Sequence, residues 1–188
     1  ATYATSIDTQ SVGLAPIDTV VGDVLMVSTG VRNAGGVTNQ PISNISPQLV
    51  FANGYGSIRR AEIWSRQFLE STATATPEIT TNGEVDRIQA QGFVIKGATD
   101  DYLAQANHVY EGTDTQFNET ITTTRPNSLI VLTLYKQDRK APVAIDGELH
   151  AMHQEIRPQG TLITITKSAP QPGTYTIGAT WQDPIVFS

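Results

Sequence analysis

The side chains best suited to chemistry are three histidines and two groups of carboxylates, in a chain with no cysteine. His150 and His153 have the His-x-x-His spacing of half a zinc site. On a strand, residues three apart point to opposite sides, so these rings converge only where the chain turns. The competing reading is two surface histidines at a strand end. His108 has no carboxylate beside it in sequence and reads as a solvated loop residue. Glu84 with Asp86, and the pair Asp100-Asp101, could supply calcium ligands or the two carboxylates of a glycosidase. Neither group lies in an Asp-x-Asp-x-Asp-Gly loop, and Glu84 and Asp86 would share one strand face, the ordinary place for solvated carboxylates.

The motifs of three large enzyme classes are missing from the sequence. There is no Gly-x-Ser-x-Gly, no Gly-x-x-x-x-Gly-Lys and no Gly-x-Gly-x-x-Gly. No catalytic residue, metal or cofactor is therefore expected, and binding or assembly is the expected role. Asn44-Ile45-Ser46 and Asn118-Glu119-Thr120 match the glycosylation acceptor pattern, which a Thr- and Asn-rich chain produces by chance.

Aromatic residues offer a different chemistry, because sugar binders present Trp or Tyr faces beside amides. Trp64 and Trp181 fall within strand-like runs and are expected in the core. Tyr55, in Asn53-Gly54-Tyr55-Gly56, reads as a loop-tip residue. Asn53 and Tyr55 are accordingly the candidate contacts for a partner or a glycan.

The elements that must position these residues read as strands. Apolar runs of strand length, bounded by Gly, Pro and Asn, are expected at Val24 to Thr29, Leu49 to Ala52, Ile58 to Leu69 and Val85 to Lys96. Four more are expected at Ser128 to Lys136, Val143 to His150, Thr161 to Lys167 and Thr174 to Trp181. Asn53-Gly54 and Asn82-Gly83 are favoured hairpin dipeptides. In the last run Tyr175, Ile177, Ala179 and Trp181 share one side and Thr174, Thr176, Gly178 and Thr180 the other. The run Leu129-Ile130-Val131-Leu132 does not alternate, which predicts a strand covered on both faces, inside the sandwich or against a neighbouring subunit. Thr99-Asp100-Asp101 could cap a short helix carrying Tyr102, Leu103 and Ala106, or begin a long loop. About eight strands predict an all-β, antiparallel β-sandwich, jelly-roll-like. Residues 21–188 would form that domain, and residues 1–20 an extended arm able to lie across a neighbour. Beyond Pro184, the apolar Ile185-Val186-Phe187 is expected to pack back or to meet another subunit.

Composition agrees. Hydrophobic residues make up 39 % and charged residues 16 %, leaving a large stock of uncharged polar residues of the kind that suits sheet surfaces and turns. The formal charge of −6, with basic residues scattered apart from Arg59-Arg60 and the stretch from Lys136 to Lys140, argues against nucleic acid as a partner. Ala1-Thr2-Tyr3-Ala4 has no basic region followed by an apolar core, and no apolar run approaches the roughly 18 residues of a membrane span. A soluble protein without an export signal is expected.

Gly22-Asp23-Val24-Leu25-Met26-Val27, Ile63-Trp64-Ser65-Arg66, the strand before Gly97, Thr122 to Leu132 and Pro172 to Ile177 form a succession. In that succession the chain resembles the β-sandwich modules of tailed-bacteriophage virions and gene-transfer-agent-like particles: head decorations, head spikes and tail fibres. The most distinctive piece is Thr122-Thr-Thr-Arg-Pro-Asn-Ser-Leu129, with Asn127 folding the turn that feeds the next strand. Pro41-Ile-Ser-Asn-Ile-Ser-Pro47 departs from the pattern, standing where a Pro-x-Gly-Trp turn is usual. The resemblance implies a non-enzymatic virion component, homo-oligomeric, assembled in a bacterial cytoplasm with capsid or tail proteins and touching the host surface or its polysaccharide. A carbohydrate-binding module and a small β-scaffold hydrolase are the alternatives.

Overall fold

The computed structural model describes residues 2–32, 41–44, 49–55, 59–68, 73–98, 112–136, 138–155 and 160–187. Among them there is no helix. In chain order the strands are β1 (Thr2–Gly13), β2 (Ile17–Thr19), β3 (Val24–Arg32), β4 (Pro41–Ser43), β5 (Leu49–Tyr55), β6 (Arg59–Gln67) and β7 (Ala73–Ala75). There follow β8 (Glu78–Ile95), β9 (Gly112–Thr123), β10 (Ser128–Lys136), β11 (Ala144–Asp146), β12 (Glu148–Glu155), β13 (Gly160–Ala169) and β14 (Gly173–Phe187). Every ladder is antiparallel, so the all-β class read from the sequence holds.

The chain forms two compact units, Ala1–Tyr102 and Leu103–Ser188, and the expected division after residue 20 falls inside the first. In that unit one sheet runs β1-β8-β3-β6-β5, with β4 also on β8 and β2-β7 as a separate ribbon. Within residues 1–20, β1 pairs with β8 from Thr2↔Gly92 to Gly13↔Glu78. β8 is 18 residues long, enough to hold β1 along its length, β4 on residues 79–81 and β3 on residues 87–95.

One sheet face carries Leu25, Val27, Val31, Trp64, Ile88 and Ala90, all buried in one apolar cluster. Leu14, Ile17 and Ala75, in and beside the β2-β7 ribbon, join that cluster. The ribbon lies so close to β8 that a Cβ on Gly92 would stand 2.7 Å from Ile17 Cδ1 and 2.9 Å from Leu14 Cδ1.

A carboxylate fastens the turn between ribbon and sheet. Gly22 takes a φ of 86°, and Asp23, 1 % exposed, accepts from Val20 N at 2.8 Å and Lys96 Nζ at 2.6 Å. Phe68 N, just past β6, donates to the Asp23 carbonyl at 2.9 Å. Burial pushes the Asp23 carboxyl up, but the hydrogen bonds from Lys96 and Val20 and the Lys96 charge outweigh it and hold the group below its ordinary 3.8.

The second unit has the order β11-β14-β10-β13-β12, with β9 also on β14. Phe117 of β9, Ile177, Ala179 and Trp181 of β14, Ile130 and Leu134 of β10, and Ile163 and Ile165 of β13 make its core. The alternation expected in β14 is present: Ile177, Ala179 and Trp181 are buried while Thr174 and Thr176 are exposed. Asn127 has a φ of 56°, donates from its N–H to the Pro170 carbonyl at 3.2 Å and folds the turn into β10, as expected.

Several expectations need correction. Asn53-Gly54 is no hairpin turn, because β5 continues to Tyr55↔Arg59. Asn82-Gly83 does not divide two strands either. It forms a wide bulge in β8, where the register passes from Thr9↔Val85 to Ser11↔Thr80 and Thr81 Oγ1 donates to the Gly83 carbonyl at 2.7 Å. The run from Val143 to His150 breaks at Gly147, φ 131°, so that β11 pairs with β14 and β12 with β13. Within the chain Leu129 to Leu132 are not covered on both faces: Leu129 is 43 % exposed, and β10 pairs with β14 only at Lys136↔Phe187. The helix-or-loop segment at Thr99 lies outside the described residues.

Two glycines check this packing. A Cβ on Gly178 would run into the Phe117 carbonyl and Asn118 Oδ1, whereas one on Gly13 would meet nothing within 4 Å. Gly178→Ala is expected to lower urea-unfolding stability by about 1–3 kcal/mol. Gly13→Ala should leave it unchanged or raise it by about 0.5 kcal/mol.

Candidate functional site

The site grows out of the register of the first sheet. Paired residues of neighbouring strands share a sheet face. Across β1-β8-β3-β6-β5 one rung reads Ile7, Arg87, Arg32, Arg59, Tyr55. The next rung on that face reads Thr5, Gln89, Gly30, Ala61, Asn53. Three arginines on three adjacent strands therefore stand directly opposite one another, with strands about 4.8 Å apart. Like charges at directly facing positions such as Arg87 and Arg32 repel unless compensated.

The described residues supply one carboxylate. Arg32 Nε lies 3.4 Å from Asp86 Oδ2, with side chains 26 % and 31 % exposed. Arg87 is different. It is 0 % exposed, and none of its three guanidinium nitrogens has a hydrogen-bond partner among the described residues. Gln89, also 0 % exposed, has neither amide atom satisfied there. An unpaired buried cation costs several kcal/mol, and such a group calls for an anion or other partner to explain it.

The sequence-derived contacts fall on these rungs. Tyr55 pairs with Arg59 and Asn53 with Ala61, within β5 rather than at a loop tip. No spacing rule pointed to the arginines, which are far apart in sequence and meet only through register. The nearest signal was the Arg59-Arg60 pair. Ile185, Val186 and Phe187 lie opposite Asp114, Thr113 and Gly112 of β9, and Phe187 also opposite Lys136 of β10. Their backbone is thus built into the chain's own sheet.

Other candidates are less suited to chemistry. His150 sits at a register irregularity of β12, and His153 stands opposite Leu162. Among the described residues no three His, Cys, Asp or Glu side chains gather in a way that would hold a metal. Trp64 and Trp181 are 7 % and 2 % exposed, core residues as expected. The Asn44 carboxamide accepts from Glu78 N at 2.8 Å and donates to the Thr76 carbonyl at 3.1 Å, which makes it a clasp. Lys136, wholly buried, pairs with Asp138 and lies 6.0 Å from the Trp181 ring centroid. Burial pushes this lysine below its ordinary 10.5, against the pull of Asp138. It is tied into the fold, since Asp138 also accepts Lys140 N at 3.0 Å and Thr161 Oγ1 donates to the Asp138 carbonyl at 2.6 Å.

No family model, no curated protein and no solved structure matches this chain.

Two predictions follow from the charged clasps. For Lys136 the folded value is the lower one, so between it and 10.5 the unfolded chain binds more protons and stability rises with pH. Lys136→Met should abolish that rise, measured as urea midpoints from pH 8 to 10.5, and cost about 1–3 kcal/mol at pH 8, because Asp138 loses its partner. For Asp23, stability is present above 3.8 and is lost as pH falls through the lower folded value. Lys96→Met should cost about 2 kcal/mol at pH 7 and move the acid loss to higher pH, because burial then dominates.

Proposed function

We propose that this protein is a non-enzymatic structural component of a tailed-phage-like particle, a decoration, spike or fibre part that assembles with copies of itself and with other virion proteins. In this reading the fold is a jelly-roll-like β-sandwich, and the protein belongs to the virion, where it contacts capsid or tail and the host surface. The observation that carries assembly is the state of the strand edges. β1 pairs with β8 alone and β9 with β14 alone among the described strands. Both are 12 residues long and contain neither proline nor lysine, the residues that commonly blunt an open edge. Such edges are templates for pairing with a further chain. The resemblance to virion modules gives that capacity a setting.

A carbohydrate-binding module is the second reading. It is supported by the outer face of β9-β14, where Gln116, Asn118, Thr120, Thr122, Thr174 and Thr176 are exposed hydroxyl and amide groups. Thr122 Oγ1 and Thr174 Oγ1 lie 3.0 Å apart across the two strands.

Molar mass by light scattering after size exclusion tests the assembly reading. A closed, symmetric homo-oligomer is expected, reduced to monomer when Gln116→Lys and Thr120→Lys are combined on the β9 edge. A monomer at every concentration, or an oligomer indifferent to those lysines, would contradict assembly through β9.

A further inference from the structure

We infer that Arg87 and Gln89, with Arg32 beside them, form a binding site for an oxyanion: the carboxylate, sulfate or phosphate group of an acidic ligand. Three separate observations converge on it. Register sets Arg87 of β8 directly opposite Arg32 of β3, so the site is built on paired strands instead of loops. The Arg87 guanidinium is shut off from water with no acceptor among the described residues, while the Gln89 amide, one step along the same face, lacks partners on both atoms. The chain as a whole carries −6, so two arginines at directly facing positions are a local exception to an acidic protein.

The chemistry is specific. A guanidinium presents parallel N–H donors in a rigid fork that matches two oxygens of a carboxylate or phosphate. The Gln89 Nε2 adds a neutral donor, and its Oε1 accepts from a ligand hydroxyl or from Arg87 once that group turns toward the anion. Arg32, about one-quarter exposed, stands directly opposite the buried Arg87. Its ion pair with Asp86, at 3.4 Å, leaves Arg32 Nε without a hydrogen bond among the described residues and free to take a stronger acceptor. With the anion in place the like charges of the row are neutralised, and the cost of burying Arg87 falls.

Thermal unfolding of the full chain at fixed ionic strength tests the site, with sulfate, phosphate or acetate replacing chloride. The wild-type midpoint is expected to rise by several degrees and to saturate, since a ligand of the folded state stabilises by mass action. A preference for acetate would identify a planar carboxylate ligand, and a preference for sulfate or phosphate a tetrahedral one. Arg87→Met should show a midpoint in chloride equal to or above wild type, because an unpaired buried charge is gone, and no oxyanion increment. Arg87→Lys, which keeps the charge and loses the fork, should bind about tenfold more weakly. Equal midpoints in chloride and all three oxyanions would overturn the inference, as would an increment that persists in Arg87→Met.

Discussion

The ladder between β3 and β8 holds the first unit together and fixes what its two faces can carry. It runs in unbroken register from Val24↔Ile95 to Arg32↔Arg87. Because side chains alternate, every apolar residue it commits to one face sends a neighbour to the other. Leu25, Val27 and Val31 are matched to the ribbon-covered core, which obliges Ser28, Gly30 and Arg32 to stand with Gln91, Gln89 and Arg87. That second face mixes Val24, Met26 and Phe93 with polar groups, and its Ser28, Gln89, Gln91 and Arg87 are all 0 % exposed. Slipping the pairing by one residue would exchange the faces and bury the arginine row in the core, so the register is strongly fixed.

The second unit answers the same constraint with charges that are paired. Lys136 ends β10 inside the unit, but Asp138 and the Trp181 ring receive its ammonium. Asp23 in the first unit is likewise buried and met by Lys96 and the Val20 N–H. Beside these closed arrangements Arg87 is the exception, a buried ion with no acceptor among the described residues. The contrast matters because buried pairs of this kind are at best modest contributors to stability, whereas an orphaned one is a clear cost.

Strands with a continuous apolar signal were legible in the sequence. Ser128 to Lys136 was found with those ends as β10, and Val24 to Thr29 and Thr161 to Lys167 lie within β3 and β13. β1 and β9 were not legible, since their alternation sets Thr, Ser, Asn and Gln against few large apolar residues and they are held chiefly by a neighbour's backbone. Asn82-Gly83 carried a true signal of backbone reversal that the ladder absorbed as a bulge. Asn53 and Tyr55 were singled out for a loop tip and stand instead on the rungs of Ala61 and Arg59. The arginine row was invisible, because Arg32, Arg59 and Arg87 belong to three strands and only cross-strand register joins them.

Amide hydrogen exchange across the first unit tests most directly whether the β3-β8 ladder is its spine. The amides from Ile88 to Val94 and from Leu25 to Val31 are expected to exchange slowest and together, opening only when the unit unfolds, while β1 and β5 at the sheet edges exchange earlier. Exchange of Ile88 to Val94 as fast as that of β1 or β5 would contradict it, and the register that lines up the arginines would lose its support.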